Sequence, residues 1–535
     1  MLLLLLILLQ GVTTEPPTLE ALGEQVAQCL GREDPVCAEP LVTAMQKQMP
    51  DSVSAAYCRG VTDFLQGKFT EARPSLQHAA GAQTAPTGLR ERAQQYLDLT
   101  ASTAEVLEGA QPHKILKGRV VVWLRPGADE VLLPYLEHVV GRTLPILENA
   151  FGSAGDQPIA IHVYPRTEDL GRVSGLTVEQ IRNSGTIALC KYNRVMITSP
   201  QDLVFGYAWA DTVAHELTHW FVIKRGGPGV PVWLHEGLAR SFEGVWRGRP
   251  AAQLDRSERQ ALLTARAKKK FITLAQMSPS MALLPTQEAT QLAFAEVHHA
   301  VGWLLARGGV QESLAGRTAD GQAGRLVSYF GQGMDETAAL QKFSGMTTSQ
   351  FGAQWKKDLL AVDLRDAHDV DQQMPKPEPL YFKSAGGSAA ALKSLGGDAR
   401  KFAELGDRLA VAKRPLAASI EYRKAMAAGQ SEGPLLPARL VRVLLDLGKN
   451  DEALEYLKPA LEAWPEHAPL YILAGRAQVV TGKFREALEN LERAAWFNPY
   501  DPQLHELAAQ AHDALAEPHD AAAARARQKV VSGGM

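Results

Sequence analysis

The segment Trp209-Ala-Asp-Thr-Val-Ala-His-Glu-Leu-Thr-His-Trp-Phe-Val-Ile-Lys224 decides how the rest of this chain is interpreted. Its apolar residues recur at helical spacing and Gly226-Gly227 follows as a stop signal, so the segment is predicted to be an α-helix. Positions four apart share one face of a helix, and His215 and His219 therefore point to one side. That separation suits two ligands of one tetrahedral zinc, with Glu216 beside them to act on a zinc-bound water. A buried helix with two satisfied histidines is the alternative.

A second segment, Pro231-Val-Trp-Leu-His-Glu-Gly-Leu-Ala239, supplies a candidate third ligand. Its proline is typical of a helix start, and the pattern predicts a helix as far as Trp246. Glu236 follows His219 by 17 positions (236 − 219), which is enough for the chain to reverse and present the carboxylate from a second helix. Two His and one Glu with one position open for water form a catalytic zinc arrangement. The alternative is a surface carboxylate paired with Arg240.

The two motifs together resemble the gluzincin metallopeptidases, specifically the peptidase MA-like domains of bacterial proteins that also carry tetratricopeptide repeats. The resemblance rests on His-Glu-Leu-Thr-His at 215–219 and on Trp-Leu-His-Glu-Gly-Leu-Ala at 233–239. It implies a thermolysin-like domain with a mixed β-sheet and a zinc-binding helix. It also implies zinc ligands at His215, His219 and Glu236, and a general base at Glu216.

Two features depart from the family pattern. The chain between the second and third ligands is short, which fits the MA-like subgroup. Arg240 stands one turn after the third ligand, where thermolysin-like enzymes hold a carboxylate that orients a zinc histidine. Asp211, one turn before His215, and Glu243 are the candidate substitutes.

Strands and a helix are predicted ahead of the first motif. Strands are expected at 119–124, 159–164 and 195–198, and a helix at 131–151. The resemblance implies that Asn193 to Thr198 form an exposed edge that pairs with substrate backbone; a plain sheet edge is the alternative. Cys190 is expected to be a buried structural thiol.

Downstream of the motifs, the predicted helix at 292–305 resembles the helix that covers the active site in the family. It offers His298 and His299 as candidate catalytic residues, where relatives often place a Tyr or His that stabilises the oxyanion. Adjacent residues on a helix cannot both face the zinc. A solvated or core histidine is the alternative for each.

The C-terminal part of the chain repeats itself after a linker rich in Pro, Gly and Ser at 374–388. Gly448-Lys-Asn-Asp-Glu-Ala-Leu454 recurs as Gly482-Lys-Phe-Arg-Glu-Ala-Leu488, an offset of 34 (482 − 448) that is typical of tetratricopeptide repeats. Three units and a degenerate cap are predicted over about 402–532, forming an α-solenoid that binds a protein partner. Residues 56–79 show similar spacing, which indicates either one such hairpin or an ordinary helical hairpin.

Composition and the N-terminal sequence limit the function classes. The net charge is −3 without a long basic run, which argues against nucleic acid as a partner. The apolar run Met1–Leu9 is too short to span a bilayer and is typical of a signal peptide, so we expect export to the periplasm or the extracellular space, with no membrane span in the mature chain. Export permits disulfides, and the four cysteines allow three complete pairings, which stay open; Cys29 with Cys37 is the most local candidate pair.

The sequence therefore predicts a multidomain α+β protein. We expect a signal peptide at 1–14, a helical N-terminal region at 15–114, a metallopeptidase domain at 115–365, a linker at 366–400 and repeats at 401–535. The predicted function is an exported Zn²⁺-dependent metallopeptidase with a protein or peptide substrate. The alternatives are a catalytically inactive scaffold that acts through its repeats, and a different zinc hydrolase on the same scaffold.

Overall fold

The computed structural model describes residues 18–153, 155–177, 181, 186–278, 280–281, 284–308, 321–364, 380–383, 390–391, 393, 395–428 and 433–533. The predicted signal peptide at 1–14 and much of the predicted linker lie outside these residues. The chain divides into two compact units, residues 1–104 and residues 105–535. Within the described part, no helix is both long and apolar enough to cross a membrane.

The first unit is helical. Its helices α1 to α5 are Leu19–Gly31, Pro35–Gln48, Val53–Leu65, Phe69–Gly81 and Thr87–Val106, the last of which ends just beyond the unit boundary. A disulfide joins Cys29 to Cys37, the most local candidate pair in the sequence. Helices α3 and α4 form a close hairpin, because a Cβ on Gly60 would lie only 2.6 Å from Leu76 Cγ.

The second unit begins with a mixed sheet. Strands β1 to β5 are Gln111–Ile115, Val120–Leu124, Ile159–Tyr164, Ala188–Lys191 and Arg194–Thr198. Among the described residues the strand order is β1-β2-β3-β5-β4, with antiparallel outer pairs and parallel inner pairs. The three predicted strands are present. β1 and β4 were not predicted, and β1 begins inside the region expected to be helical up to residue 114.

The edge of the sheet beside the first motif is β4. β5 lies between β3 and β4 and is buried along its whole length, so the expectation that Asn193–Thr198 form an exposed edge is wrong. The turn between the two strands places Tyr192 and Asn193 at φ values of 60° and 61°, as a type I′ hairpin turn requires. Cys190 lies on the edge strand and packs against the core but is only partly buried, so the expected full burial of its thiol is not found.

Helices α6 to α14 accompany the sheet. They are Leu132–Phe151, Thr167–Ser174, Trp209–Gly226, Val232–Phe242, Arg256–Lys268, Gln287–Arg307, Gln322–Gly331, Glu336–Ser344 and Thr348–Ala361. Helix α8 packs against β4, β5 and α6, whereas α9 packs against α8 and α11. The close approach of α9 to α11 depends on Gly237, because a Cβ there would lie 2.6 Å from the Val297 carbonyl oxygen. One hydrophobic core joins these helices, apart from α7, to the sheet.

The described C-terminal residues form helical hairpins. Helices α15 to α22 are Gly397–Val411, Pro415–Ala427, Leu435–Asp446, Asn450–Ala463, Ala468–Val480, Phe484–Ala495, Pro502–Ala514 and Pro518–Val531. The turn of each hairpin holds one residue with positive φ: Lys413, Gly448, Gly482 and Ala516. Their intervals are 35, 34 and 34 residues (448 − 413, 482 − 448, 516 − 482), which agrees with the predicted repeat. Gly67 occupies the same place between α3 and α4.

The repeat array packs directly against α8. The Trp209 indole donates to the Ala495 carbonyl at 2.9 Å, and the Tyr207 amide donates to the Phe497 carbonyl at 3.1 Å. The first bond satisfies a carbonyl group at the C-terminal end of α20, which has no partner within its own helix. The array and the sheet-containing region therefore belong to one unit.

Candidate metal centre

Two consecutive helices bring the predicted ligands together. Helix α8 carries His215, Glu216 and His219, and it ends where Gly227 adopts a φ of 66°. Positive φ is accessible to glycine without strain, so the chain turns sharply at this point. Helix α9 then presents Glu236 to the two imidazoles.

Three donor atoms converge at this place. His215 Nε2 lies 3.2 Å from His219 Nε2. Glu236 Oε2 lies 3.4 Å from His215 Nε2 and 3.5 Å from His219 Nε2. A tetrahedral zinc with ligand bonds of about 2.0–2.1 Å keeps its donor atoms about 3.3 Å apart. The three atoms thus fit three corners of such a site, and two imidazoles with one carboxylate are donors that zinc accepts.

The surrounding charges favour a cation where these atoms meet. Burial lowers the pKa of His215, but hydrogen bonds to Glu236 and Glu243 and the charge of Glu216 outweigh burial and raise this pKa to about 10. Burial alone would raise the pKa of Glu236, yet His219 and His215 hold it well below its ordinary value. Both pKa shifts have one cause: the carboxylates stabilise the protonated imidazole, and the imidazoles stabilise the ionised carboxylate.

Glu216 lies beside the three donors and is 6% exposed. Burial raises the pKa of its carboxyl group, and this effect exceeds the opposing charges of His219 and His215. The backbone of Cys190 on β4 also forms a hydrogen bond with the Glu216 carboxylate. A buried carboxylate with a raised pKa has the property that a general base needs near neutral pH.

Each histidine is also supported on its other ring nitrogen. Glu243 Oε2 lies 3.4 Å from His215 Nδ1, and His235 Nδ1 lies 3.1 Å from His219 Nδ1. Burial and the charge of His219 lower the pKa of His235 to about 3, so its neutral ring can accept a hydrogen bond from His219. Partners of this kind fix the ring orientation and leave Nε2 as the atom that could bind a metal.

The structure distinguishes between the carboxylates that were candidates for this supporting role. Glu243 contacts a predicted ligand, whereas Asp211 accepts hydrogen bonds from Trp246 Nε1 at 2.8 Å and from Arg247. Arg240 binds Glu243 at 2.9 Å and Glu258 at 2.8 Å, so the alternative pairing of Glu236 with Arg240 is not adopted.

His235 was not identified from the sequence. It precedes Glu236 directly, and neighbouring residues on a helix point in different directions, so helical spacing does not predict a contact between His235 and the candidate ligands. Its contact with His219 arises from the angle at which α9 packs against α8. The signal available in the sequence was a histidine inside the second motif itself.

The predicted oxyanion residues have other partners. His298 is fully buried, and its Nδ1 lies 2.9 Å from Glu258 Oε1. Trp355 Nε1 donates to His299 Nδ1 at 3.0 Å. Among the described residues, no hydrogen bond, ion pair or ring contact joins either histidine to the predicted ligands or to Glu216. Their role in catalysis stays a prediction.

Residues 142–361 match the sequence profile of the Peptidase MA superfamily, and residues 444–511 match that of the tetratricopeptide repeat. No curated protein matches the chain as a whole or in part. Among solved structures, the TPR domain of P58(IPK) is 11% identical, with a TM-score of 0.21, 94% of this chain covered and 89% of that chain covered. The APC/C hetero-tetramer Cut9–Hcn1 is 12% identical with a TM-score of 0.24, and the match covers 97% of this chain and 88% of that chain. Native yeast LTA4 hydrolase is 14% identical with a TM-score of 0.29, and the match covers 79% of this chain and 64% of that chain. With TM-scores this low, the likenesses carry no argument.

The superfamily match lies inside the region that the two motifs predicted, and it contains α8, α9 and α11. The repeat match contains parts of the hairpins whose turns recur at the predicted interval. The chain thus carries a Peptidase MA superfamily domain at residues 142–361, followed by tetratricopeptide repeats.

Proposed function

We propose that this chain is an exported zinc-dependent peptidase that hydrolyses peptide bonds in a protein or peptide substrate. The observation that carries the proposal is the convergence of His215 Nε2, His219 Nε2 and Glu236 Oε2 at mutual distances of 3.2–3.5 Å, with buried Glu216 beside them. When bound, zinc lowers the pKa of a water molecule and polarises the scissile carbonyl.

The protein side chains supply the remaining chemistry. His215 and His219 bind through Nε2 while Glu243 and His235 hold their Nδ1 atoms, and this arrangement keeps both rings in one tautomer. Glu216 accepts the proton of the attacking water on its carboxylate and then donates it to the nitrogen of the departing amine. The raised pKa of Glu216 brings it closer to the pH at which it must do both.

The edge strand β4 is our candidate for holding the substrate backbone. The Thr198 amide donates to the Ile187 carbonyl, so in this antiparallel pair the odd-numbered residues of β4 hydrogen-bond with β5. The backbone groups of Ala188 and Cys190 therefore point away from β5. Cys190 hydrogen-bonds with Glu216, which supports a location of this edge beside the reacting bond. Pairing with backbone would accommodate varied substrate side chains.

The repeats and the N-terminal region complete the proposal. Tetratricopeptide repeats commonly bind peptides or proteins, and we assign such a partner to the part of the array that does not pack against α8. The disulfide between Cys29 and Cys37 supports export to an oxidising compartment, either the periplasm or the extracellular space.

Replacement of Glu216 tests the mechanism. Glu216→Gln should retain about one zinc per chain, because the three ligands are untouched, and should lower hydrolysis of an unfolded protein by about 10²–10⁴-fold. Metal analysis and release of new amino groups measure the two effects. The control is Glu288→Gln, an exposed glutamate on α11, which should change neither. Unchanged turnover in Glu216→Gln contradicts the mechanism, and zinc binding without turnover in the unmodified chain favours the inactive scaffold.

A further inference from the structure

The turn between α20 and α21 in the repeat array, residues 495–500, contacts the segment that leads into α8. The Ala495 carbonyl accepts from the Trp209 indole at 2.9 Å, and the Phe497 carbonyl accepts from the Tyr207 amide at 3.1 Å. Trp209 is the first residue of α8 and is fully buried. The start of the helix that carries both candidate histidines is therefore anchored to the repeats.

The segment before α8 lies so close to the turn that no side chain fits between them. Gly206 has a φ of 75°, and a Cβ there would lie 2.1 Å from the Phe497 carbonyl oxygen. At the other end of the turn, Asp129 Oδ1 accepts hydrogen bonds of 2.6 Å from both Tyr500 and Ser199. Backbone and side-chain bonds thus fix this turn on either side of Trp496.

Trp496 itself reaches the segment that follows α9. Its ring meets Trp246 edge to face, with centroids 4.8 Å apart and planes at 80°. Trp246 is almost fully buried, and its indole donates to Asp211 in the first turn of α8 at 2.8 Å. Glu243, which contacts His215, lies three residues before Trp246 in the same segment. Trp246 and Glu243 thus belong to one short segment, which contacts α8 at both Asp211 and His215.

We propose that Trp496 is a positioning residue for the metal centre: through Trp246 it keeps Glu243 against His215 and holds α8 and α9 at the separation that the ligands need. The inference rests on the proposed function, because its consequence is expressed at the metal. It gives the repeat array an intramolecular role, as a brace for the peptidase domain, in addition to binding a partner.

Three variants of the full chain test this role. Trp496→Ala removes the ring, and Trp496→Phe keeps an aromatic edge against Trp246. Trp464→Ala is the matched control, since Trp464 ends α18 in the repeat before and packs within the array's own core. The control thus reproduces loss of a tryptophan from the array while leaving the contact with Trp246 intact.

Two measurements are made on each variant. Amide hydrogen exchange of the metal-free chain reports the stability of residues 209–216 and 243–247. The visible absorption of the Co²⁺-loaded chain, with Co²⁺ affinity from chelator competition, reports ligand geometry. For Trp496→Ala we expect faster exchange in both segments, an altered spectrum and about tenfold weaker binding, the lower end for loss of a supporting partner. Trp496→Phe and Trp464→Ala should stay close to the unmodified chain.

Either of two results would overturn the inference. One is an unchanged exchange pattern and spectrum in Trp496→Ala, and the other is the same change in Trp464→Ala, which would indicate general destabilisation of the array. If the unmodified chain binds no Co²⁺, the proposed function fails; faster exchange in Trp496→Ala alone would still support the brace, and unchanged exchange would refute it.

Discussion

The Peptidase MA superfamily domain contains two pairs of histidines, and the structure uses them differently. His215 and His219 on α8 are four residues apart, and their ring centroids lie 4.8 Å from each other. His298 and His299 on α11 are adjacent, and they bind Glu258 and Trp355 respectively. At 3.6 residues per turn, positions four apart nearly coincide on the helix surface whereas adjacent positions differ by about 100°. Spacing on the helix therefore decides which pair of histidines can bind one metal ion.

The electrostatic surroundings of the pairs differ as well. The pKa of His215 rises to about 10 because carboxylates outweigh its burial, whereas burial and the charges of His298 and Arg307 lower the pKa of His299 to about 4. Carboxylate oxygens lie 3.4 Å from both ring nitrogens of His215. Both histidines are largely removed from water, so burial alone does not identify a cation-binding histidine. His215 differs in that carboxylates face both of its ring nitrogens, whereas Glu258 contacts only Nδ1 of His298.

The largest effect expected from this comparison is on metal content. His219→Ala should weaken zinc binding by more than about 100-fold, because a direct ligand contributes more than a supporting partner. His299→Ala should leave zinc affinity unchanged and lose only the hydrogen bond from Trp355. Zinc analysis after dialysis against a weak chelator measures both. Equal loss of zinc from the two variants would abolish the distinction between the pairs.

Local patterns predicted the parts of this molecule that neighbouring residues determine. The buried strands at 120–124 and 159–164 have apolar sequences, and the shared face of the candidate ligands His215 and His219 on α8 follows from helix geometry alone. The repeat period was readable where the turn residue with positive φ is glycine, at Gly448 and Gly482, whereas Lys413 and Ala516 occupy the same place without that signal. In each case the physical requirement falls within one element or recurs at a fixed interval.

The missed features depend on contacts between distant segments. β1 contains Pro112 and mostly exposed residues, and β4 has only four residues, so neither shows a strand pattern by itself. Both form because each pairs with an inner strand of the sheet, β1 with β2 and β4 with β5. The helix predicted to continue to Trp246 ends at Phe242, and this end leaves Glu243 in contact with His215.

Glu243 gives the next effect in size. Glu243→Gln keeps the shape of the side chain but removes the charge that faces His215 Nδ1, so zinc affinity should fall by about 10–100-fold. Chelator competition at constant pH measures the change. Glu288→Gln removes the same charge from an exposed position and should have no effect. An unaltered zinc affinity in Glu243→Gln would mean that His215 needs no carboxylate at Nδ1. The electrostatic difference between the two pairs of histidines would then have no effect on metal binding.

His235 gives the smallest effect, because it supports His219 without a charge. Since the pKa of His235 is lowered to about 3, its ring is neutral from mildly acidic to alkaline pH and acts only as a hydrogen-bond acceptor. His235→Phe should weaken zinc binding by about tenfold, the lower end for loss of such a partner. His235→Asn places an amide oxygen near the former Nδ1 and should restore most of the affinity. If Asn behaves like Phe, the contact at 3.1 Å is one of packing, and the orientation of His219 must come from α8 itself.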